Sequence, residues 1–586
     1  MIGVVPALNA CEGEHLRGFT FLGAKGPGED LFVSFHHLRL ATQRRAAHYA
    51  AAGLERGDRI ALVVPEGEHF IPGFLGALWG GLIPVPLYPP VSLGKLDAFM
   101  EALVNILNIA RPRVLVTTER VGKVLWSAIG RVASIEKVIT TEELAKDAGS
   151  LPAAADVRDD EVAFLQFTSG STALPKGVMV THGSLAANCH AIIREGLEAD
   201  GQKDNAVSWL PLYHDMGLIG FVMAPVCYRI SVVFIPTMSF IKNSTLWMET
   251  IHKHRATLSF APNFAYALVT KRARPEQIAR WDLSQMRAFG CGAEPINPDT
   301  MRAFLAAMAP SGLKPQALLP CYGMAEATLA ISFVPLDEPL QTDRIDAARY
   351  HADHEAAPVS NGTAFLEVVS CGRTFVGHEV TVQDDDGRIL SDRRIGEICF
   401  RGPSVAAGYW ENAEATKATF RGGWLRTGDL GYKIGDRVFV SGRIKDILIV
   451  NGRNYHPQGI EWLVDEIPGV RKGSSVVFTR PGAASEEIVV AAEARAGDAG
   501  ALKAQIVARV SEEFQLAVSD VALVPPGTLP KTSSGKLQRR KTREQYLNGS
   551  IGRTSRAGST RLAVAKHLAL SLVGRARHEV RKLLGG

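Results

Sequence analysis

The chain has 586 residues, too many for one small domain; at roughly 150 residues per domain its length implies three or four folding units. Hydrophobic residues at 46% and charged residues at 21% exclude a wholly disordered chain. A net charge of +5, from 65 basic and 60 acidic residues, is too mild to make nucleic acid the partner. That charge is unevenly placed. From Asn548 onward the chain carries eight Lys/Arg against Glu579 alone, a net of +7, which leaves the rest at −2. The seven cysteines are odd in number and contain no C-x-x-C pair, so reduced thiols are expected rather than a disulfide framework or a zinc site. No secretory signal pattern follows Met1, and a cytoplasmic protein is expected.

The first third alternates strand and helix patterns. Residues 59–65, 113–118 and 137–140 are β-branched-rich runs, and residues 99–109 read as a helix between them. Residues 71–94 carry no charge and are long enough to span a bilayer. Their five prolines forbid one continuous helix. The segment reads instead as a helix ending near Gly80-Gly81 and a buried strand over residues 83–87. Further apolar runs at 230–236 and 256–262 extend the pattern, which predicts an α/β fold with parallel sheets covered on both faces. From about Cys371 short strands separated by tight turns predict antiparallel hairpins in a small barrel or distorted sheet. After Arg443 a second, smaller α+β unit begins, with a helix over residues 501–514. The last segment opens with a Gly/Ser/Arg-rich linker and turns helix-like from about Arg561.

The strongest local signal runs from Thr168 through Ser169, Gly170, Ser171 and Thr172 to Pro175-Lys176-Gly177, after an apolar strand. Consecutive N–H groups around a glycine form a concave anion site, the hydroxyls add donors and the lysine adds charge. The spacing is not that of a Walker loop. With its Pro-Lys-Gly ending the run resembles the signature of the adenylate-forming superfamily, which includes acyl-CoA synthetases, peptide-synthetase adenylation domains, luciferases and fatty acyl-AMP ligases. Six further stretches resemble that superfamily's motifs, in order: 209–217 (WLPLYHDMG), 290–295 (GCGAEP), 321–328 (CYGMAEAT), 427–431 (TGDLG), 441–446 (SGRIKD) and 530–537 (PKTSSGKL). The resemblance spans roughly residues 20–545.

It implies the following roles. ATP is the nucleotide and Mg²⁺ the metal, ligated by Glu326. Thr168 to Lys176 hold the β- and γ-phosphates. Gly292, Ala293, Glu294 and Pro295, with Cys321, Tyr322, Gly323, Met324 and Ala325, form the adenine site, Tyr322 stacking on the base. Asp429 takes the ribose hydroxyls, and Arg443 takes ribose or phosphate oxygens. Lys445 is the hinge of a mobile lid, and Lys536 on that lid pairs with the acyl carboxylate and α-phosphate. Lys176 and His214 complete the catalytic set, His214 as a gate or carboxylate orienter. Trp209, His214, Asp215, Tyr228, Phe240 and Phe260 are placed around the acyl pocket. Taken singly these residues are less telling. Lys536 reads as a solvated charge, Asp429 as a turn residue, Glu326 as a helix-terminus carboxylate and His214 as a core histidine. Only the ordered set gives them chemistry. Cys291 and Cys321 read as small packing residues.

Three features resemble the fatty acyl-AMP ligase branch: "VPLYPP" at 85–90, the form of the 209–217 motif, and "LIVNGRNYHPQGIE" at 448–461. Forty-five residues also separate Glu326 from Gly372, a gap similar to that branch's insertion, which restrains the lid and disfavours coenzyme A. An ordinary surface loop is the plainer alternative for this gap. Gly459 departs from the Asp of that branch's pattern. The expected domains are 1–443 (with the insertion at about 334–368 and the barrel-like part at 371–443), a lid at 444–547, and a basic tail at 548–586. The expected activity is activation of a fatty acid as acyl-AMP, then transfer to the phosphopantetheine thiol of an acyl carrier protein. No G-x-D-S-L carrier motif is present, so the carrier is expected in trans. An acyl-CoA ligase and a catalytically silent acyl- or nucleotide-binding protein are the alternatives. The tail reads either as a basic amphipathic helix that docks on an acidic carrier or an anionic membrane, or as a loosely packed solvated terminus.

Overall fold

The computed structural model describes residues 1–26, 28–90, 96–168, 175–360, 365–450, 453–482, 486–495, 497–514, 516–532, 535–553 and 557–584. The β-branched runs do become parallel strands. Ile83–Pro86, Arg59–Val63, Val114–Thr117 and Lys137–Thr140 form a four-stranded parallel sheet in that order. Three of its strands are buried at almost every position, which is why their sequences lack polar alternation. Pro72 sits inside the helix Gly67–Trp79 without ending it. The chain turns at Gly80-Gly81, as the sequence suggests, and Gly81 takes a left-handed φ of 71° there.

The larger sheet has nine strands. Its parallel centre runs Gly18–Gly26, Ser231–Phe234, Asn205–Ser208, Leu258–Ala261, Ala288–Cys291 and Leu318–Gly323. The antiparallel strands Glu29–Ser34, at one edge, and Ala330–Phe333 with Arg373–Thr374, at the other, flank it. One continuous apolar core joins this sheet to its helices, and a second core lies under the four-stranded sheet. From Glu379 the expected hairpins form a five-stranded antiparallel sheet that includes Gly396–Arg401, Trp424–Ile434 and Arg437–Arg443.

The insertion is a folded element. Thr342–Asp346 pairs antiparallel with Phe365–Val369, and Asp346 caps the intervening helix Ala347–Asp353 by accepting from the Arg349 N–H. Ile345 and Tyr350 pack on Tyr432 and Phe439 of the antiparallel sheet. The lid carries its own core around the strands Val470–Pro481, Glu486–Ala494 and Val518–Val524 and the helices Pro457–Asp465 and Ala499–Phe514.

The tail corrects one expectation. It is not a loosely packed terminus. The helix Ala557–Leu584 lies against the helix Glu119–Ile129 of the first domain. His567 Nδ1 meets Ser127 Oγ at 3.0 Å, and its Nε2 meets Asp97 Oδ1 at 2.9 Å.

Candidate active site

A cavity of about 1080 Å³ opens where the large sheet, the antiparallel sheet and the lid converge. One part is apolar, lined by Ile192, Ile193, Leu197, Ala206, Phe221, Ile230, Leu258, Phe260, Leu329 and Phe333. Two π-helical turns, Ala191–Gly196 and Ile219–Met223, supply three of those side chains. The wider π turn re-aims side chains off the 3.6-residue stripe, a device found often at ligand sites. Gly290 makes room from the neighbouring strand. A Cβ there would lie 2.0 Å from the Phe260 ring.

The other part is polar. Thr168, Lys176, His214, Asp215, Ala293, Cys321, Tyr322, Gly323, Met324, Ala325, Glu326, Arg443, Lys445 and Lys536 all border it. With Thr427 and Gly428, which also border it, residues from all seven motifs share one cavity, although Asp429 itself does not line it. Ser169, Gly170, Ser171 and Thr172 lie outside the described residues. Gly292, Glu294 and Pro295 stand immediately beside Ala293, which holds a left-handed φ of 72°.

Asp429 is buried and doubly held. Its Oδ2 accepts from the Tyr322 hydroxyl at 2.8 Å and its Oδ1 from Arg443 Nε at 2.8 Å. Burial, with the Asp429 charge behind it, pushes the Tyr322 phenol well up, and the same carboxylate raises Arg443. Glu326 Oε1 accepts from the Tyr409 hydroxyl at 2.6 Å, and Lys176 Nζ sits 4.5 Å over the Tyr409 ring. That cation–π contact fixes the ammonium beside the carboxylate at a gain of about 0.5–2 kcal/mol. Sequence reasoning missed Tyr409.

Lys536 reaches the cavity from the lid. Burial lowers its ammonium pKa, opposed by the charges of Asp215 and Glu294. Burial lowers His214 to about 4, with Asp215 opposing and Lys536 adding to the effect, so this imidazole is neutral at ordinary pH. Burial raises the Glu294 carboxyl while Lys536 opposes, and Glu294 Oε1 accepts from the Phe264 N–H at 3.2 Å. Cys291 and Cys321 are protonated packing groups. Burial pushes both thiols up, and Cys321 Sγ donates to the Cys291 carbonyl at 3.3 Å.

Three pocket assignments are corrected. Trp209, Phe240 and Tyr228 do not border the cavity. Trp209 stacks on Phe240 at 3.8 Å between ring centroids, and both are buried in the core beside Trp247. The Tyr228 hydroxyl bonds His190 Nδ1 at 2.9 Å instead. Phe260, His214 and Asp215 do border the cavity.

The segment that follows Arg443 is clipped by a residue the sequence did not single out. Arg539 Nη1 lies 3.0 Å from Asp446 Oδ2, and its Nη2 donates to both Glu461 oxygens at 2.7 and 2.8 Å. Across the gap, Tyr350 of the insertion bonds His456 Nε2 of the lid at 2.8 Å. Among the described residues no three His, Cys, Asp or Glu side chains gather as a metal cage. A lone carboxylate still fits Mg²⁺, which takes one or two carboxylates together with substrate phosphates and water.

A mixed α/β platform, an antiparallel sheet and a C-terminal α+β unit whose Lys536 borders the same cavity as Thr168 and Lys176 form the architecture of an adenylate-forming enzyme. The family model "AMP-binding enzyme" matches residues 19–410, and the model "Disco-interacting protein 2-like, AMP domain" matches residues 445–555. A putative acyl-CoA synthetase of Caulobacter vibrioides is 38% identical over 86% of this chain and 89% of its own. The long-chain-fatty-acid–AMP ligase FadD26 of Mycobacterium marinum is 34% identical over 85% of this chain and 88% of its own. A solved structure from work on the fatty acyl-adenylate ligases of E. coli and L. pneumophila superposes with a TM-score of 0.88 at 31% identity, covering 94% of this chain and 98% of that one. The chain belongs to the AMP-binding enzyme family, on its fatty acyl-AMP ligase branch.

Proposed function

We propose that this ligase activates a fatty acid as acyl-AMP and passes the acyl group to the phosphopantetheine thiol of a separate acyl carrier protein. The observation that carries the reading is one cavity lined both by apolar side chains such as Phe221, Phe260 and Phe333 and by Lys176, His214, Asp215, Glu326 and Lys536. An alkyl chain fits the apolar lining and a triphosphate the polar one.

The carboxylate oxygen attacks the α-phosphorus of ATP, and pyrophosphate leaves. Two anions must meet, so charge neutralisation carries most of the catalysis. A fatty-acid carboxylate is already ionised at neutral pH, and no general base is required. Lys536 bridges carboxylate and α-phosphate. Neutral His214 orients the carboxylate with an N–H without adding a second charge beside Lys536. Lys176 takes the outer phosphates, with Thr168 and the hydroxyl run beyond it. Asp429, held by Tyr322 and Arg443, takes the ribose hydroxyls. Glu326, steadied by Tyr409, would hold the Mg²⁺, which supplies charge neutralisation for the phosphates.

The Tyr350–His456 bond favours a carrier over coenzyme A, because it ties the insertion to the lid in the orientation that places Lys536 at the cavity. A relative from Moorena producens, 32% identical, is named a medium-chain-fatty-acid–[acyl-carrier-protein] ligase. The second reading, an acyl-CoA ligase, draws on the name of the Caulobacter relative. Purified protein with ATP, Mg²⁺ and laurate, given either coenzyme A or a phosphopantetheinylated carrier, separates them. Accumulation of acyl-AMP with transfer to the carrier is expected, whereas rapid release of acyl-CoA would overturn the assignment. Absence of pyrophosphate exchange with fatty acids of every chain length would favour the silent binding protein instead.

A further inference from the structure

The tail helix is docked the wrong way round for an ordinary amphipathic helix. The face it buries is small and polar: His567, Ser571, Gly574 and His578, spaced four, three and four residues apart along one side. Ser571 Oγ accepts from the Ser127 N–H at 3.0 Å and donates to the Val124 carbonyl at 2.9 Å. Gly574 and Gly130 set the closeness of the crossing. A Cβ on Gly574 would lie 2.1 Å from the Trp126 carbonyl oxygen, and one on Gly130 would lie 2.5 Å from the Gly574 Cα. With backbone against backbone, the helix cannot roll about its axis.

The face turned away is apolar. Leu568 (42% exposed), Leu572 (74%), Val573 (48%) and Val580 (51%) lie on it with exposed Ala565, Ala569 and Ala576 between them. At about 100° per residue, the centre of this stripe stands roughly 160° around from the docked stripe. Arg577 borders it on one side and Arg575 on the other, both exposed; Glu579, the one acidic residue in the tail, lies on the face near its Arg575 edge, between Leu568 and Leu572, and exposed Leu570 lies off the face beyond Arg577. Water alone gives no reason to fix four large aliphatic side chains outward on a helix locked by its polar face.

We propose that this outer face lies on an anionic lipid surface. Its apolar stripe enters the headgroup boundary and the flanking arginines meet lipid phosphates. Among the described residues no helix is long and apolar enough to cross a membrane, so the contact is peripheral. A lipid surface suits the pattern better than an acidic protein, because the centre of the face is apolar and the cations lie at its borders. Surplus positive charge on an otherwise slightly acidic chain adds long-range attraction to anionic headgroups.

The test is co-sedimentation of the full chain with vesicles of phosphatidylcholine and phosphatidylglycerol, against vesicles of phosphatidylcholine alone. Binding to the anionic vesicles, weakened by salt, is expected. Two variants, Leu572→Glu with Val573→Glu, and Arg575→Glu with Arg577→Glu, should each lower the vesicle partition coefficient by about tenfold or more. All four positions are exposed, so laurate-dependent pyrophosphate exchange in solution should stay at the wild-type rate. No binding to anionic vesicles, or binding that both variants retain, would overturn the proposal. So would a wild-type dimer in light scattering that Leu572→Glu splits, which would make the stripe a contact between copies, or a carrier interaction lost with the arginines while lipid binding is absent.

Discussion

His456 sits at the seam between insertion and lid, and the strength of that seam is expected to depend on pH. Its Nε2 is bonded to Tyr350, and its Nδ1 finds no partner among the described residues. Burial, with His351 and His354 adding to it, lowers the imidazole from an ordinary 6.5 to about 3. The docked lid therefore keeps His456 neutral through the mildly acidic range. A released lid exposes it and restores an ordinary pKa. The sign follows from linkage. Below about pH 6.5 only the released state takes up the proton, so acid favours release; above it neither state does, and the seam keeps its full strength. At about pH 5.5 the released state gains roughly 1.4 kcal/mol, which raises the released-to-docked ratio about tenfold relative to pH 7.5. The seven native thiols are buried or half-buried, so dyes attached to cysteines introduced at exposed Asp353 and Glu466 report on the seam by energy transfer. The high-transfer population should shrink toward pH 5.5 in the wild type and stay constant in His456→Gln. A flat wild-type profile, or a slope that survives His456→Gln, refutes the reasoning.

Four other outcomes are expected. Lys536→Ala should lower pyrophosphate exchange by about 10²–10³-fold with unchanged thermal stability, and near wild-type exchange would remove that lysine from the chemistry. Tyr409→Phe deletes the hydroxyl that holds Glu326 and should raise the Mg²⁺ concentration for half-maximal exchange by about tenfold, with little change in KM for the fatty acid; an unchanged Mg²⁺ requirement would contradict it. Ala206→Phe fills part of the apolar cavity and should shift preference from palmitate toward octanoate, so an unaltered ratio of kcat/KM would show that the chain does not reach Ala206. Because burial holds His214 near 4, its protonation should produce no acid limb in exchange near pH 6.5. A limb there that vanishes in His214→Gln would show an imidazole that titrates normally.

That the polar site residues would share one cavity was legible because they come in short ordered motifs, each carrying a polar group that an isolated strand end has no reason to carry. Lys176, Glu326, Arg443 and Lys536 are brought to one cavity although far apart in sequence. The acyl wall was not legible in the same way. Trp209 and Phe240 announce apolar burial, and burial is where they went; which side of the sheet a ring faces is set by packing. Ile192, Ile193 and Phe221 come from π turns, whose register no 3.6-residue count anticipates. Tyr409 and Arg539 act through partners on distant strands and helices, Glu326 and Glu461, and local pattern does not reveal such pairings. The tail shows the same failure. The sequence offered no sign that the tail would dock on the first domain, because the hydrogen bonds of His567 and Ser571 and the Gly574–Gly130 crossing that hold it there depend on partners more than 400 residues away.

The docked tail also changes the mechanics of the lid. Residues 444–547 are joined to the first domain at Lys445, and again through the helix that begins at Ala557 and rests on Glu119–Ile129. A body pinned at two points turns most freely about the line joining the pins. The Ser550 and Ile551 N–H groups both donate to the Gln545 carbonyl and Ile551 packs on the core that holds Val524 and Leu529, so the folded unit extends past Leu547 toward the tail helix. A unit that turned about Lys445 would therefore work as a door with a stay rather than one on a single hinge. The second attachment would bound its reach and keep Lys536 in a volume much smaller than a free linker would sweep.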